Sequence, residues 1–271
     1  MDAIIDYGLD LGYFKSAGID VHNTVLRSGP AVAAALAGGS LDAGLINTGT
    51  LAAARSRGVP LKFFASCAIQ TPGNDLALVR KDSPIKSVTD LGGKTVGIVA
   101  INTVQNAVVR LWLDKAGVDS KSVKFLEVPY PQMQAALEQG RVDVTLPAEP
   151  FLTAARATTR SIGDPDEAMP PRYLIFGFAA NEAWLKANAP LAKSLAAAIS
   201  RSAAWGNGHR GESAQTLVRT LNLDPAKVGE MLRTDYGTAI DPAQIKPVID
   251  LMVKYGLLDK PVDANDLIWR P

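Results

Sequence analysis

Apolar residues recur along the chain with two spacings that alternate. Spacings of three and four residues place Ile4, Tyr7, Leu11 and Phe14 on one face, which predicts a single amphipathic helix. Alternating apolar and polar residues over 19–25 then predict a half-buried strand. Because similar strands and short helices keep alternating as far as Phe178, the pattern predicts βαβ units, an α/β fold and mainly parallel sheets.

The other predicted elements follow the same two periodicities. Strands are predicted over 41–46, 61–68, 95–100, 123–128, 142–146 and 173–178, and an extended crossing segment over 76–79. Helices are predicted over 30–37, 51–54, 103–115, 132–138 and 151–157, several of them after residues that favour helix starts. Ser87-Val88-Thr89-Asp90 predicts a capping box with Asp in place of Glu. Beyond residue 178 the pattern is mainly helical.

Part of the chain is repeated. When 32–55 is aligned with 133–156 without a gap, ten of the 24 residue pairs are identical. The identical pairs include Gly39 with Gly140 and Asp42 with Asp143. Alanine-rich helices inflate such matches, but they do not account for glycine and aspartate pairs. The repeat therefore predicts two copies of one βαβ unit, one in each of two lobes.

The repeat also predicts how the chain divides. Lobe 1 is expected to comprise residues 1–75 and 176–271, and lobe 2 residues 76–175, with a hinge and a central cleft where the chain crosses. In the second copy a strand precedes the helix near Thr103, whereas the matching first strand would precede Met1. Since a parallel sheet lacking that strand would leave backbone groups unpaired, we expect the first strand, and any export signal before it, to be missing from this sequence.

Composition narrows the possible functions. The 271 residues carry 28 Lys and Arg against 27 Asp and Glu, so no nucleic-acid partner is expected. One cysteine, Cys67, excludes an internal disulfide and a cysteine-rich zinc site. Two histidines, His22 and His209, leave little for metal or acid–base chemistry. We therefore expect binding rather than catalysis, with no catalytic residues, no metal and no cofactor.

Polar residues stand where ligands bind in open α/β sheets, beyond the carboxyl ends of strands and against helix starts. Their N–H, hydroxyl and amide groups suit a small polar or anionic group. We expect ligand contacts from Ser28, Asn47, Thr48, Gly49, Thr50, Asn102, Thr103, Gln105, Tyr130 and Glu149. For each residue the alternative is a helix cap. Glu149 could stabilise a helix start or accept hydrogen bonds from an amine or ring N–H of a ligand.

An ordered series of stretches resembles the nitrate/sulfonate/taurine-type solute-binding proteins of ABC importers. The stretches cover nearly the whole chain: Gly12-Tyr13-Phe14-Lys15 through Gly18-Ile19-Asp20-Val21, 35–42, 90–96, and Ala136-Leu137 with Gly140, Asp143 and Glu149-Pro150-Phe151. The resemblance implies a bilobal type II periplasmic-binding-protein fold, with two mainly parallel sheets, flanking helices and a central cleft that closes on a sulfonate, carboxylate or related metabolite. It implies pocket contacts from Ser28, Thr48, Asn102, Thr103 and Glu149.

The same resemblance implies an ABC permease and its ATPase as partners and an extracytoplasmic location, periplasmic or membrane-tethered. No signal peptide is visible in residues 1–6. A monomer is the expectation for a delivery protein. Two positions depart from the family: Ala148 stands where Trp is frequent, which widens the expected pocket, and Val104 where a hydroxyl or glycine is common. The alternative function is an enzyme on the same fold, of the pyrimidine-forming or menaquinone-pathway type, with Glu149 as acid/base group.

Overall fold

A computed structural model describes residues 3–26 and 28–271. The described chain separates into two compact units. Unit 1 comprises the described residues up to Ile69, together with Tyr173–Leu223 and Thr234–Pro271. Unit 2 comprises Gln70–Arg172 and Asp224–Arg233. The sequence analysis places residues 224–233 in lobe 1, whereas in the structure this segment packs within unit 2. The lobe boundaries at 75/76 and 175/176 stay a prediction.

The described residues form helices and strands that alternate through unit 2. The α-helices are α1 Ile4–Asp10, α2 Tyr13–Ser16, α3 Gly29–Gly38, α4 Thr48–Ser56, α5 Val104–Lys115, α6 Tyr130–Glu138, α7 Phe151–Ala155, α8 Glu182–Ala187, α9 Ala189–Gly208, α10 Arg210–Leu221, α11 Pro225–Glu230 and α12 Pro242–Lys254. The strands are β1 Gly44–Asn47, β2 Leu61–Gln70, β3 Leu78–Arg80, β4 Thr95–Ile98, β5 Lys124–Glu127, β6 Val144–Thr145, β7 Thr159–Ser161, β8 Tyr173–Asn181 and β9 Asp235–Tyr236. Short 3-10 helices cover Val88–Leu91, Pro165–Ala168 and Ala264–Leu267. Among the described helices, none combines the length and apolar character needed to cross a membrane.

Unit 1 is built on a four-stranded sheet in the order β1-β8-β2-β9. Its core packs α3, α4 and α12 onto this sheet through Leu36, Leu51, Phe63 and Ile249. The predicted α/β class and two-sheet architecture are confirmed, but mainly parallel pairing is wrong here, since β8 runs antiparallel to β1 and β9 antiparallel to β2. Residues Gln70–Arg172 of unit 2 separate β1 from β8 in sequence, so no single crossover helix imposes parallel pairing on them.

Two predictions near the start of unit 1 are wrong. The single helix over 4–14 is broken, because α1 ends at Asp10 and Gly12 turns the chain with a φ of 68° before α2. The strand predicted over 19–25 is not formed, and Val25 is 88% exposed. A segment with alternating apolar and polar residues forms a stable strand only where a neighbouring strand supplies hydrogen bonds and a packing surface. None of the described strands pairs with residues 19–25.

Unit 2 is built on a five-stranded sheet in the order β5-β4-β6-β3-β7. As predicted, β4 runs parallel to both β5 and β6, whereas β3 runs antiparallel to β6 and β7. The register sets Leu78, the first residue of β3, opposite Thr145, the last residue of β6. The ends of β4, β5 and β6 and the start of β3 therefore share one side of the sheet, which we call the carboxyl edge of unit 2.

The repeated stretches form the same elements in different units. Residues 32–55 cover most of α3, all of β1 and most of α4 in unit 1, and residues 133–156 cover most of α6, all of β6 and all of α7 in unit 2. In each copy the first helix is followed by a glycine with positive φ, 73° at Gly39 and 68° at Gly140. The predicted duplication thus corresponds to one helix–strand–helix series in each unit.

Gly38 and Gly39 end α3 side by side and provide a matched test of this helix end. A side chain at Gly39 must adopt the left-handed region, so Gly39→Ala is expected to lower the free energy of unfolding by about 1–2 kcal/mol. Gly38 lies in the helix with open space around it, so Gly38→Ala is expected to raise that free energy by up to about 1 kcal/mol. Urea unfolding followed by circular dichroism measures both; equal effects would contradict the left-handed cap.

Candidate functional site

The loop from β4 to α5 places the first group of polar residues at the carboxyl edge of unit 2. Thr103 caps α5, because its hydroxyl oxygen accepts a hydrogen bond from the Asn106 N–H at 3.3 Å. Asn102 has a φ of 60°, a backbone region that asparagine tolerates better than most residues. Its N–H donates to Asn106 Oδ1 at 3.3 Å. Asn102 and Thr103 thus lie at the carboxyl edge, and their hydrogen bonds are made to groups of their own loop and helix.

Gln105 connects three elements at this edge. Its Nε2 donates to the Leu146 carbonyl, just beyond β6, at 3.3 Å. Asp75, ahead of β3, and Tyr130, at the start of α6, lie near the same side chain, whose donor character lowers the pKa of each. Two predicted site residues, Gln105 and Tyr130, are therefore neighbours, together with an aspartate that sequence analysis did not identify.

Two buried polar atoms at the start of α5 have no hydrogen-bond partner among the described residues. They are Oε1 of Gln105, an acceptor, and Nδ2 of Asn106, a donor. The Asn106 side chain is almost completely buried, with 1% of the residue exposed. Most buried polar atoms in folded proteins are hydrogen-bonded, so each exception requires an explanation such as a bound water or ligand. These two atoms mark the carboxyl edge of unit 2 as the candidate site.

The electrostatics of the site are dominated by Asp75. Burial raises the pKa of Asp75 well above its ordinary value, and the nearby carboxylates of Asp166 and Asp164 raise it further. Burial also raises the pKa of Asp164, although hydrogen bonds from the Gly73 and Asp166 N–H groups oppose this rise. The pKa of Tyr130 is raised as well, first by burial and then by the charge of Asp75. The environment of Asp75 thus opposes its ionisation.

The acidic residues behind Asp75 hold the segment that leads into unit 2. Gln70 Nε2 donates to Asp166, and the N–H of Gly73 donates to Asp164. Sequence analysis missed Asp75, Asp164 and Asp166 because about 90 residues separate the first from the other two. A local signal existed for Asp75, which directly precedes the apolar run into β3, and for Asp164, whose side chain caps the 3-10 helix Pro165–Ala168.

The contacts of Glu149 support the first of its two predicted roles, which is to stabilise a helix start rather than to accept hydrogen bonds from a ligand. Its Oε2 accepts from the Thr153 N–H at 3.0 Å, and its Oε1 accepts from the Thr153 hydroxyl at 2.8 Å and from the Leu232 N–H at 3.0 Å. Leu232 also packs against Leu78, Leu152 and Ala155. Both carboxylate oxygens are thus engaged by unit 2 itself, and no contact of Glu149 favours an acid/base role.

The predicted site residues of unit 1 lie at the starts of α3 and α4. Ser28 caps α3 by accepting from the Ala31 N–H at 3.3 Å, and Asn47 caps α4 by accepting from the Gly49 N–H at 2.8 Å. Thr48 is fully buried and its hydroxyl donates to the Leu174 carbonyl at 2.7 Å, so this hydroxyl stabilises unit 1.

The two helix starts are neighbours, because a Cβ atom on Gly29 would lie 2.9 Å from Oγ1 of Thr50. The starts of α3 and α4 therefore form one polar corner of unit 1. Arg27, which precedes this corner, lies outside the described residues. Ligand contacts by the predicted residues of unit 1 and unit 2, and the predicted central cleft, stay predictions.

Metal ligands are not grouped in the part of the chain that the structure describes. Within residues 3–26 and 28–271, no set of three or more His, Cys, Asp or Glu residues could hold a metal ion. Cys67 is buried in β2, and His22 pairs with Asp20 at the surface at 3.3 Å. His209 stacks on Trp205 with ring centroids 5.1 Å apart. These residues therefore supply packing and surface contacts in the described structure.

Comparison with known proteins identifies the family of the chain and several of its relatives. The profile of the NMT1/THI5-like family matches residues 3–212. An Escherichia coli strain K12 protein named for aliphatic sulfonate binding is 25% identical over 254 residues, which cover 90% of this chain and 77% of that protein. The taurine-binding periplasmic protein of the same strain is 27% identical over 158 residues, which cover 58% of this chain and 48% of that protein.

A solved structure shows the same fold. The periplasmic aliphatic sulphonate binding protein SsuA from Escherichia coli superimposes with a TM-score of 0.81 at 22% identity, covering 99% of this chain and 88% of that chain. The fold class expected from the sequence is thereby confirmed.

Ionised Asp75 is expected to destabilise the native protein at neutral pH. A carboxyl group whose pKa is higher in the folded than in the unfolded state loses stabilisation as pH rises through that interval. Asp75→Asn removes the charge and should therefore raise the melting temperature at pH 7, with a smaller difference from wild type as the pH is lowered. Thermal unfolding across this pH range tests it, with the exposed Asp82→Asn as control. A lower melting temperature for Asp75→Asn at pH 7 would contradict the electrostatic account.

Glu149 is expected to hold the 224–233 segment on unit 2. Glu149→Ala removes the acceptor of the Leu232 N–H and should lower the free energy of unfolding by about 1.5–3 kcal/mol, as for hydrogen bonds to a charged group. Hydrogen exchange should show faster exchange of the Leu232 amide. Glu138→Ala, at an exposed glutamate of α6, is the control and should leave that amide unchanged. Unchanged protection in Glu149→Ala would show that apolar packing alone holds the segment.

Proposed function

Since the chain belongs to the NMT1/THI5-like family, we propose that it is a solute-binding protein that captures a small organic acid and delivers it to an ABC importer. Support comes from the similarity to proteins named for sulfonate and taurine binding, which in the first case extends over 90% of the chain. The ligand class follows as an aliphatic sulfonate, a carboxylate or a related acid. The protein acts by binding, without turnover.

The observation that carries this proposal is the polar carboxyl edge of unit 2. Asn102, Thr103, Gln105 and Tyr130 gather there from the starts of α5 and α6, and Gln105 Oε1 and Asn106 Nδ2 lack partners among the described residues. In open α/β sheets this edge is where small ligands bind, since strand ends and helix starts converge on it. A ligand bound at this edge would lie next to polar atoms that have no partner among the described residues.

The polar corner of unit 1 has, considered by itself, the chemistry to bind an acidic group. The starts of α3 and α4 combine the positive ends of two helix dipoles with hydroxyl and amide side chains, and α3 and α4 contain 10 and 9 residues. We therefore assign the acid-binding contacts of unit 1 to Ser28, Asn47 and Thr50; Gly49 is left out because its N–H already donates to the Asn47 side chain. The Thr48 hydroxyl is excluded from this assignment because it already donates to Leu174.

The delivery function requires further partners. An ABC permease would receive the ligand and its ATPase would drive import, with the binding protein acting as a monomer outside the cytoplasm. The taurine-binding relative is named as a periplasmic protein, which supports that location. Pull-down of the ligand-loaded protein with a detergent-solubilised permease complex, and light scattering against the chain mass of 28.6 kDa, test the partner and the monomer separately.

Ligand binding is the direct test. Isothermal titration with a panel of aliphatic sulfonates and carboxylates should show saturable binding of one ligand per chain. Thr50→Ala should weaken that binding about five- to tenfold, as expected for loss of one hydrogen bond of about 1 kcal/mol or slightly more. Thr89→Ala, at an exposed threonine of the first 3-10 helix, is the control. No heat with any member of the panel would refute the proposed function, and unchanged affinity in Thr50→Ala would move the contacts away from α4.

A further inference from the structure

The side of the unit 2 sheet opposite the candidate site consists of the starts of β4, β5, β6 and β7 and the end of β3. Thr95, the first residue of β4, pairs with Lys124, the first residue of β5. Arg80, the last residue of β3, pairs with Thr159, the first residue of β7. The chain segments on this side, which we call the amino edge of unit 2, are 80–94, 119–124, 139–143 and 156–159.

The four segments form one continuous surface. Residues of the first and third segments line the same shallow depression. The Lys124 N–H donates to the Lys94 carbonyl at 2.9 Å, which joins the second segment to the first. The Lys81 N–H donates to the Thr158 carbonyl at 3.4 Å, which joins the fourth segment to the first. Charges on the four segments therefore contribute to one local field.

Charge is segregated within unit 2. The unit as a whole has 14 Lys and Arg residues and 14 Asp and Glu residues. A surface that serves only solubility has both signs interspersed, whereas an excess of one sign in one region attracts partners of the opposite charge. The amino edge has four aspartates against eight basic residues, which are Arg80, Lys81, Lys86, Lys94, Lys121, Lys124, Arg141 and Arg156.

The aspartates of this edge are engaged by the protein itself, whereas most of its cations are not. Asp82 forms a salt bridge with Nε of Arg80 at 3.1 Å. Asp90, Asp119 and Asp143 accept hydrogen bonds from backbone N–H groups of the same edge. Among the residues that the structure describes, the other seven basic side chains form no salt bridge and no hydrogen bond, and all but the half-buried Lys94 are exposed. Seven cations are therefore available to an anionic partner.

The residue types at the amino edge favour a membrane over a protein as the partner. Five of the eight basic residues are lysines, and the four segments contain no aromatic residue. None of the strongly exposed large apolar residues of the described chain lies in them. Protein interfaces are enriched in arginine and aromatic residues and depleted in lysine, whereas clusters of about four to eight Lys and Arg residues are typical of surfaces attracted to anionic lipids.

We propose that the amino edge of unit 2 docks reversibly on an anionic lipid membrane, with lipid phosphate groups against its exposed lysines. Because this edge presents no large apolar side chain, the protein lies on the headgroups and does not enter the acyl region. The inference goes beyond the proposed function and does not depend on solute binding. Docking would hold a delivery protein at the surface in which a permease is embedded.

The experiment compares vesicles that differ in charge. The full chain is sedimented with vesicles of phosphatidylcholine alone or with about one third phosphatidylglycerol, in about 0.05 M and about 0.5 M NaCl. In low salt, wild type is expected to bind the anionic vesicles about tenfold or more tightly than the neutral vesicles. In high salt it should be released, because the screening length shortens.

Two double variants with the same change in net charge locate the surface. Lys121→Gln with Lys124→Gln should weaken binding to the anionic vesicles about tenfold or more, since one basic residue near a charged bilayer contributes about fivefold. Lys186→Gln with Lys193→Gln removes two exposed charges from α8 and α9 of unit 1 and should leave binding nearly unchanged. Circular dichroism verifies that both variants are folded.

Several results would overturn the membrane-docking inference. Wild type that binds neither kind of vesicle, or both equally, would do so even if a variant fails to fold. Equal weakening in the two double variants would show that overall charge, and not the amino edge, is responsible. Tighter binding of poly-glutamate than of the anionic vesicles would identify an acidic protein as the partner instead. Solute titrations are a separate measurement, so failure of the proposed function leaves this inference standing, and the reverse also holds.

Discussion

The hydrogen-bond register of the unit 2 sheet is the constraint on which the candidate site depends. Parallel pairing of β4 with β5 and β6 brings their ends to one edge, and antiparallel pairing of β3 with β6 adds the chain that enters β3 to that edge. Asp75, Gln105 and Tyr130 meet there although 55 residues separate the first from the last. Any other direction for β3 would remove Asp75 from the helix starts.

Two carboxylates near this edge illustrate how the protein treats buried charge. Glu149 receives three hydrogen bonds, two from Thr153 and one from Leu232, so its charge is stabilised and connects α7 to the 224–233 segment. Burial and the carboxylates of Asp166 and Asp164 raise the pKa of Asp75, so its charge is opposed. The first arrangement strengthens the fold, whereas the second weakens it.

The repeated stretches show how far local similarity extends. Both copies form a helix, a strand and a helix, and both first helices are followed by a glycine with positive φ. Their strands nevertheless join different neighbours: β1 pairs antiparallel with β8, and β6 pairs parallel with β4. The polar residues after the two strands also differ, with Asn47 capping its own helix and Glu149 also reaching the 224–233 segment. One duplicated module thus serves two environments.

The sequence by itself determined the features that depend on neighbours within a few residues. It predicted most helices and strands, the caps at Ser28, Asn47 and Thr103, and the capping box at Ser87 and Asp90, because periodicity and short-range hydrogen bonds depend on residues close together in the chain. It also predicted the family, from the ordered series of similar stretches. Tertiary structure alone decided the antiparallel pairing in unit 1, the absence of a strand over 19–25, the partners of Glu149 and the surroundings of Asp75. These features depend on contacts between residues far apart in the chain, and local propensity carries no information about which distant group will be the partner.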